Sequence, residues 1–102
     1  MYLIQLLLPL YDNDQNCFPG QLYDQVRTEL TEQFGGLTSY MRAPATGLWK
    51  EDSSNVVRDD IVIYEIMTDN LQREWWAQYR LELQERFAQD SLIIRAMPFE
   101  QL

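Results

Sequence analysis

Glu65 interrupts the apolar run "IVIYEIM", with Ile63 and Met67 two residues away on either side. A carboxylate in such company is either paired or poised as a base, because burial disfavours its charged form. Gln5 in "YLIQLLL" and Arg95 in "SLIIRAM" interrupt two further apolar runs, and Tyr40 and Arg42 sit in "TSYMRA". One acid, two cations, an amide and a phenol spread over four apolar segments can line a pocket with apolar walls. They can equally pair with one another to satisfy buried charge. On the first reading Glu65 is the candidate base and Gln5, Tyr40, Arg42 and Arg95 orient a ligand.

Other chemistry is discounted. The chain has no histidine, so a Ser-His-Asp triad, a Cys-His pair, His-ligated haem and a His-rich zinc site are all unavailable. Cys17 has no basic neighbour in sequence and reads as an inert thiol. "DNDQNC" begins like an EF-hand at Asp12, Asp14 and Asn16. Cys17 replaces the required glycine and Tyr23 the closing glutamate, so a surface loop is expected. Gly35-Gly36 follow a helix instead of opening one and make no phosphate cradle. Asp59 and Asp60 alternate across a strand and cannot act as a carboxylate pair. No metal and no cofactor is expected.

The 102 residues suit one domain, 1–102. Eight Lys and Arg stand against sixteen Asp and Glu, a net charge of −8 that disfavours nucleic acid and anionic membranes as partners. A single cysteine suits a reducing compartment, so a cytoplasmic location is expected. The opening "MYLIQLLLPLYD" lacks a basic leader and is too short to span a bilayer, and reads as a buried strand.

The elements that must position the polar groups follow in order. Tyr2–Leu10 is a strand ended by Pro9 and "YDNDQN". Leu22, Val26, Leu30 and Phe34 recur at spacing four after Pro19, and Gly35-Gly36 stop the helix. "LTSYMRA" and "VVRDDIVIYEIM" are strands. Asp69 is placed to cap a second helix, with Gln72 in capping-box position. Leu71, Trp75, Tyr79, Leu83 and Phe87 mark its buried stripe, with Trp76 on the flank. "SLIIRAMPF" is the last strand. The order βαββαβ predicts a ferredoxin-like α+β fold: a four-stranded antiparallel sheet, order 4-1-3-2, with both helices on one face.

Strand parity divides the sheet faces. Ile4, Leu6, Leu8, Val62, Tyr64, Ile66, Leu92, Ile94 and Ala96 belong under the helices. Leu3, Leu7, Ile61, Ile63, Met67, Ile93 and Met97 then share the uncovered face, too apolar to stay wet in a monomer. A homodimer packed through this face is therefore expected. With a turn at Glu51–Ser54 the register sets Tyr40 opposite Glu65, Arg42 opposite Ile63 and Met41 opposite Tyr64.

The same register sets Trp49 opposite Val56 and Leu48 opposite Val57, near a hairpin tip spanning about 44–58. Val56–Met67 reaches roughly 40 Å against roughly 24 Å for the first helix, so the hairpin should project ~10–15 Å. Leu48 and Trp49 would then form an arm that grips a second subunit or closes over the sheet face. Gly47 permits a bend beside Trp49, and Pro44 suits an edge strand.

The segments "MYLIQLLLPLYD", "RAPATGLWK", "RDDIVIYEIM", "WWAQYR" and "IIRAMPFEQL" resemble a small family of uncharacterised bacterial proteins, over nearly the whole length. The broader resemblance is to the dimeric α/β-barrel superfamily. It implies small-molecule sites and cofactor-independent monooxygenase- or isomerase-like activity. Two functions stay open. One is a homodimer that binds or transforms a small apolar molecule in a sheet-lined cavity. The other is a non-catalytic assembly domain that uses the open sheet face and the Leu48/Trp49 arm.

Overall fold

Alternation in the strands and spacing four in the helices leave one solution for the apolar residues: a sheet with one face under two helices. The computed structural model describes residues 1–36, 38–50 and 56–102, with only the backbone described at 39–50 and 56–60. The order is β1 (Tyr2–Pro9), α1 (Gly20–Phe34), β2 (Thr38–Lys50), β3 (Val56–Thr68), α2 (Arg73–Arg86) and β4 (Ile93–Pro98). The α+β class holds.

The core lies between sheet and helices. It joins Ile4, Leu6 and Leu8 of β1 and Val62, Tyr64 and Ile66 of β3 to Val26 and Leu30 of α1 and Trp76, Tyr79 and Leu83 of α2. Phe87, fully buried just past α2, and Leu92 complete it. Each such large side chain contributes about 1.5–3 kcal/mol on leaving water.

The expectation of a full four-stranded ferredoxin-like sheet, of the kind that closes a dimeric α/β barrel, is corrected. The strands are hydrogen-bonded in the order β2-β3-β1-β4 and all their pairings are antiparallel. They are, however, staggered. The β1–β4 ladder covers Tyr2–Leu7, and the β2–β3 ladder begins at Thr38↔Glu65. Among the described residues, four strands therefore stand abreast at the rungs of Gln5, Leu6 and Leu7 alone. On either side of these rungs the sheet is three strands wide, and Val56–Asp60 pair with β2 alone. The cause is length: β4 has six residues, against thirteen in each strand of the β2–β3 ribbon.

The ribbon register is corrected too. Tyr40 pairs with Ile63, Met41 with Val62 and Arg42 with Ile61, while Thr38 pairs with Glu65. Nearer the tip Leu48 pairs with Arg58 and Trp49 with Val57. A register break between Arg42 and Thr46 separates the two regimes. Pro44 lies inside it, where a residue without an N–H removes no ladder bond. The body of the ribbon is displaced by two residues from the expected pairing, so every residue there keeps its face. The turn at 51–55 and the side chains of Tyr40, Arg42, Leu48 and Trp49 lie outside the described residues.

The helix ends differ in how well they were foreseen. Gly35 adopts φ 80° and donates its N–H to Thr31 O at 2.7 Å, the left-handed C-cap expected of glycine. Asp69 does not cap α2. Gln72 is the N-cap, at φ 54°, and its N–H donates to Asn70 Oδ1. On α2 the buried indole is Trp76, with Trp75 only half-buried, because the stripe rotates toward Leu83 and Phe87.

Candidate functional site

Gln5, Glu65 and Arg95 occupy one rung of the sheet, on the face turned away from the helices. Gln5 lies on the central strand, with Glu65 and Arg95 on its two neighbours. Gln5 Nε2 donates to Glu65 Oε2 at 2.6 Å, and Arg95 Nε donates to Gln5 Oε1 at 2.7 Å. Glu65 and Arg95 stand two strand spacings apart, about 9.6 Å between backbones, and the amide of Gln5 bridges them. Thr38 extends the same rung beyond Glu65. Tyr40 and Arg42 follow Thr38 at alternate positions of β2, opposite Ile63 and Ile61.

Around this row the face is apolar. Ile63 is buried, Leu3, Leu7 and Ile61 are half-buried, and Met67, Ile93 and Met97 are 56%, 57% and 40% exposed.

At Thr38, where the described β2–β3 ladder begins, a notch of about 300 Å³ opens beside Glu65. Glu65, Thr38 and Gly35-Gly36 line it, with Leu3, Phe34, Ile66 and Met67 as apolar walls. The glycines belong to the C-terminal end of α1, where unpaired carbonyls carry partial negative charge. No basic residue occupies the last turn of α1 to offset it. Glu65 adds a full charge, so the notch favours a cation attached to an apolar body. Gly35-Gly36 were legible in sequence only as a helix stop. Their second role depends on where α1 ends against β3.

A second polar cluster escaped the sequence reading. Arg86 grips Glu29 with two hydrogen bonds, Nη1 to Oε1 at 2.5 Å and Nη2 to Oε2 at 2.7 Å, and Tyr79 Oη donates to Oε1 at 2.9 Å. The hydrogen bonds from Arg86 hold the Glu29 carboxyl below its ordinary range. Burial first, then the bond to Glu29, pushes the Tyr79 phenol up. The cluster ties α1 to α2. With each charge partnered it is a structural lock.

Asp12 also serves structure: its Oδ1 accepts from the N–H groups of Asp14 and Asn16 at 2.8 and 2.9 Å, closing the loop on itself. Cys17 is exposed. Among the described residues no helix is long and apolar enough to cross a membrane.

No family model and no curated protein matches the chain. Two solved structures do. A phage SAM lyase in complex with S-methyl-5'-thioadenosine matches with a TM-score of 0.62 at 15% identity, over 94% of this chain and 79% of that one. A phage SAM lyase in the apo state matches with a TM-score of 0.60 at 15% identity, over 94% and 78%. At that identity the likeness is one of fold: a small α+β domain related in architecture to these phage proteins.

Proposed function

We propose that this protein binds a small molecule at the notch beside Glu65, and that the ligand is a cation on an apolar body, of the sulfonium class to which S-adenosylmethionine (SAM) belongs. The carrying observation is the convergence of the Glu65 carboxylate and the C-terminal end of α1 on one apolar-walled notch of about 300 Å³. The fold likeness to phage SAM lyases supports the choice of compound. Glu65 is the anchoring charge and the candidate base. Gln5, held by Arg95, fixes the carboxylate. Tyr40 and Arg42 stand further along β2, opposite Ile63 and Ile61 and away from the notch, and are no part of this proposal.

Calorimetric titration with SAM and with S-methyl-5'-thioadenosine, its neutral thioether relative, tests the reading. Glu65→Gln should weaken SAM binding about tenfold, a loss of roughly 1.4 kcal/mol, and leave the neutral compound nearly unaffected. Release of S-methyl-5'-thioadenosine from SAM by wild type, lost in that variant, would add turnover to binding. No binding of SAM, or equal binding by the two proteins, would overturn the assignment.

The exposed Met67, Ile93 and Met97 favour a second reading, self-association through the open sheet face without catalysis. It requires a mass above that of one 12.2 kDa chain in solution.

A further inference from the structure

A groove of about 320 Å³ runs between α2 and the edge strand β4, on the helix side of the sheet. We infer that it binds an oxyanion, a carboxylate or phosphate carried on an apolar body, through Arg73, Arg80 and the indole N–H of Trp76. This site is separate from the notch and does not rest on the sulfonium reading.

Arg73, Trp76, Ala77 and Arg80 follow the i, i+3, i+4, i+7 spacing of one helix face, with the two arginines about 10.5 Å apart along α2. Ile4, Leu71 and Ile94 supply apolar walls. The polar side chains that α2 gives the lining, Arg73, Arg80 and Trp76, all donate and none accepts. Arg95 reaches the lining from β4, but its guanidinium belongs to the opposite face, where its Nε donates to Gln5.

The charges are under-used in a chain with twice as many acids as bases. Among the described residues neither Arg73 nor Arg80 has an ion-pair partner. The partner of Arg80 among the described residues is the neutral Gln84, Nη1 donating to Oε1 at 2.7 Å. Trp76 supplies the independent sign. It is 7% exposed, yet its Nε1 has no hydrogen-bond partner among the described residues. A buried donor without an acceptor is costly and uncommon. The nitrogen is shut off from water as it stands, so a turn of the indole toward the groove is what would bring it to an anion seated between the two guanidinium groups.

The test follows the Trp76 indole N–H by ¹H–¹⁵N spectroscopy, assigned with Trp76→Phe, while the full chain is titrated with phenyl phosphate, benzoate and neutral benzamide. The Trp75 indole, on the opposite groove between α1 and α2, is the internal control. One or both anions should shift the Trp76 resonance saturably, with benzamide and Trp75 inert. Arg73→Gln with Arg80→Gln should weaken that binding about tenfold or more. Response to phenyl phosphate alone assigns a phosphate ligand, and to benzoate alone a carboxylate. The inference fails if no anion shifts the resonance, if benzamide shifts it equally, or if the double variant binds like wild type. Should the double variant misfold, each single substitution gives the same comparison.

Discussion

Gln5 has one workable orientation. Its amide nitrogen faces the Glu65 carboxylate and its carbonyl the Arg95 guanidinium, so a flip would set acceptor against acceptor and donor against donor. Gln5→Leu removes both bonds while Glu65 and Arg95 keep access to water. The expected loss is about 0.5–1.5 kcal/mol, read from urea unfolding. Glu29 makes a different prediction. Its carboxyl pKa is lower in the folded chain than its ordinary 4.5. The stability it contributes is thus full above that value and lost as pH falls through the lower, folded one. Between pH 6 and pH 3 wild type should lose more stability than Glu29→Gln, and equal losses would show that the Arg86 grip is unimportant. Tyr23 works at the alkaline end. Burial, assisted by Tyr64 and Cys17, pushes its phenol up to about 12, and its hydroxyl donates to Pro9 O. That contribution is complete below the ordinary value of 10 and declines above it. A spectrophotometric titration should find a phenol ionising near pH 12 that shifts to the ordinary range on unfolding.

The helices bear their load at a few positions. Leu83 is fully buried on α2, in the core cluster that also holds Phe87. Leu83→Ala is expected to cost about 2–5 kcal/mol, measured as a lowered urea midpoint. For stability Gly35 is needed for its conformation. A Cβ there would meet nothing within 4 Å, so the cost of Gly35→Ala comes from φ 80°, about 1–2 kcal/mol. A change well below that range would mean the α1 end relaxes out of the left-handed region. This helix stop was legible because glycine's freedom at positive φ is a local property. The start of α2 was not. Asp69 and Gln72 satisfied a local capping pattern, yet the chain leaving β3 turns through Asn70 and puts Gln72 itself at the cap.

At the scale of the whole molecule, the sheet's uncovered face is where the assembly reading is tested. Met67, Ile93 and Met97 remain exposed there, around a polar row linked through Gln5. If the face self-associates, light scattering on a sizing column will give a mass above 12.2 kDa. Met67→Lys with Ile93→Lys will return it to one chain, since two charges would have to be desolvated in the contact. A single-chain mass for wild type at all concentrations would end the assembly reading and leave the notch as the function of this face.

The βαββαβ order, the helix-side apolar set and the grouping of Gln5, Glu65 and Arg95 on one face were all determined by the sequence alone. Each follows from short-range periodicity, two residues in strands and nearly four in helices, and from glycine or proline punctuation. Tertiary structure alone decided how far the strands overlap and which partner each polar group takes. The Gln5–Glu65 and Gln5–Arg95 bonds join residues 60 and 90 positions apart, and a register break around Pro44 moves Tyr40 from Glu65 to Ile63. The pairing of strands through long crossovers is settled by the packing of the entire core. The notch beside Glu65 draws on β1, α1, β2 and β3 at once, and the spacing of Arg73, Trp76 and Arg80 on α2 becomes a groove only where β4 packs beside it.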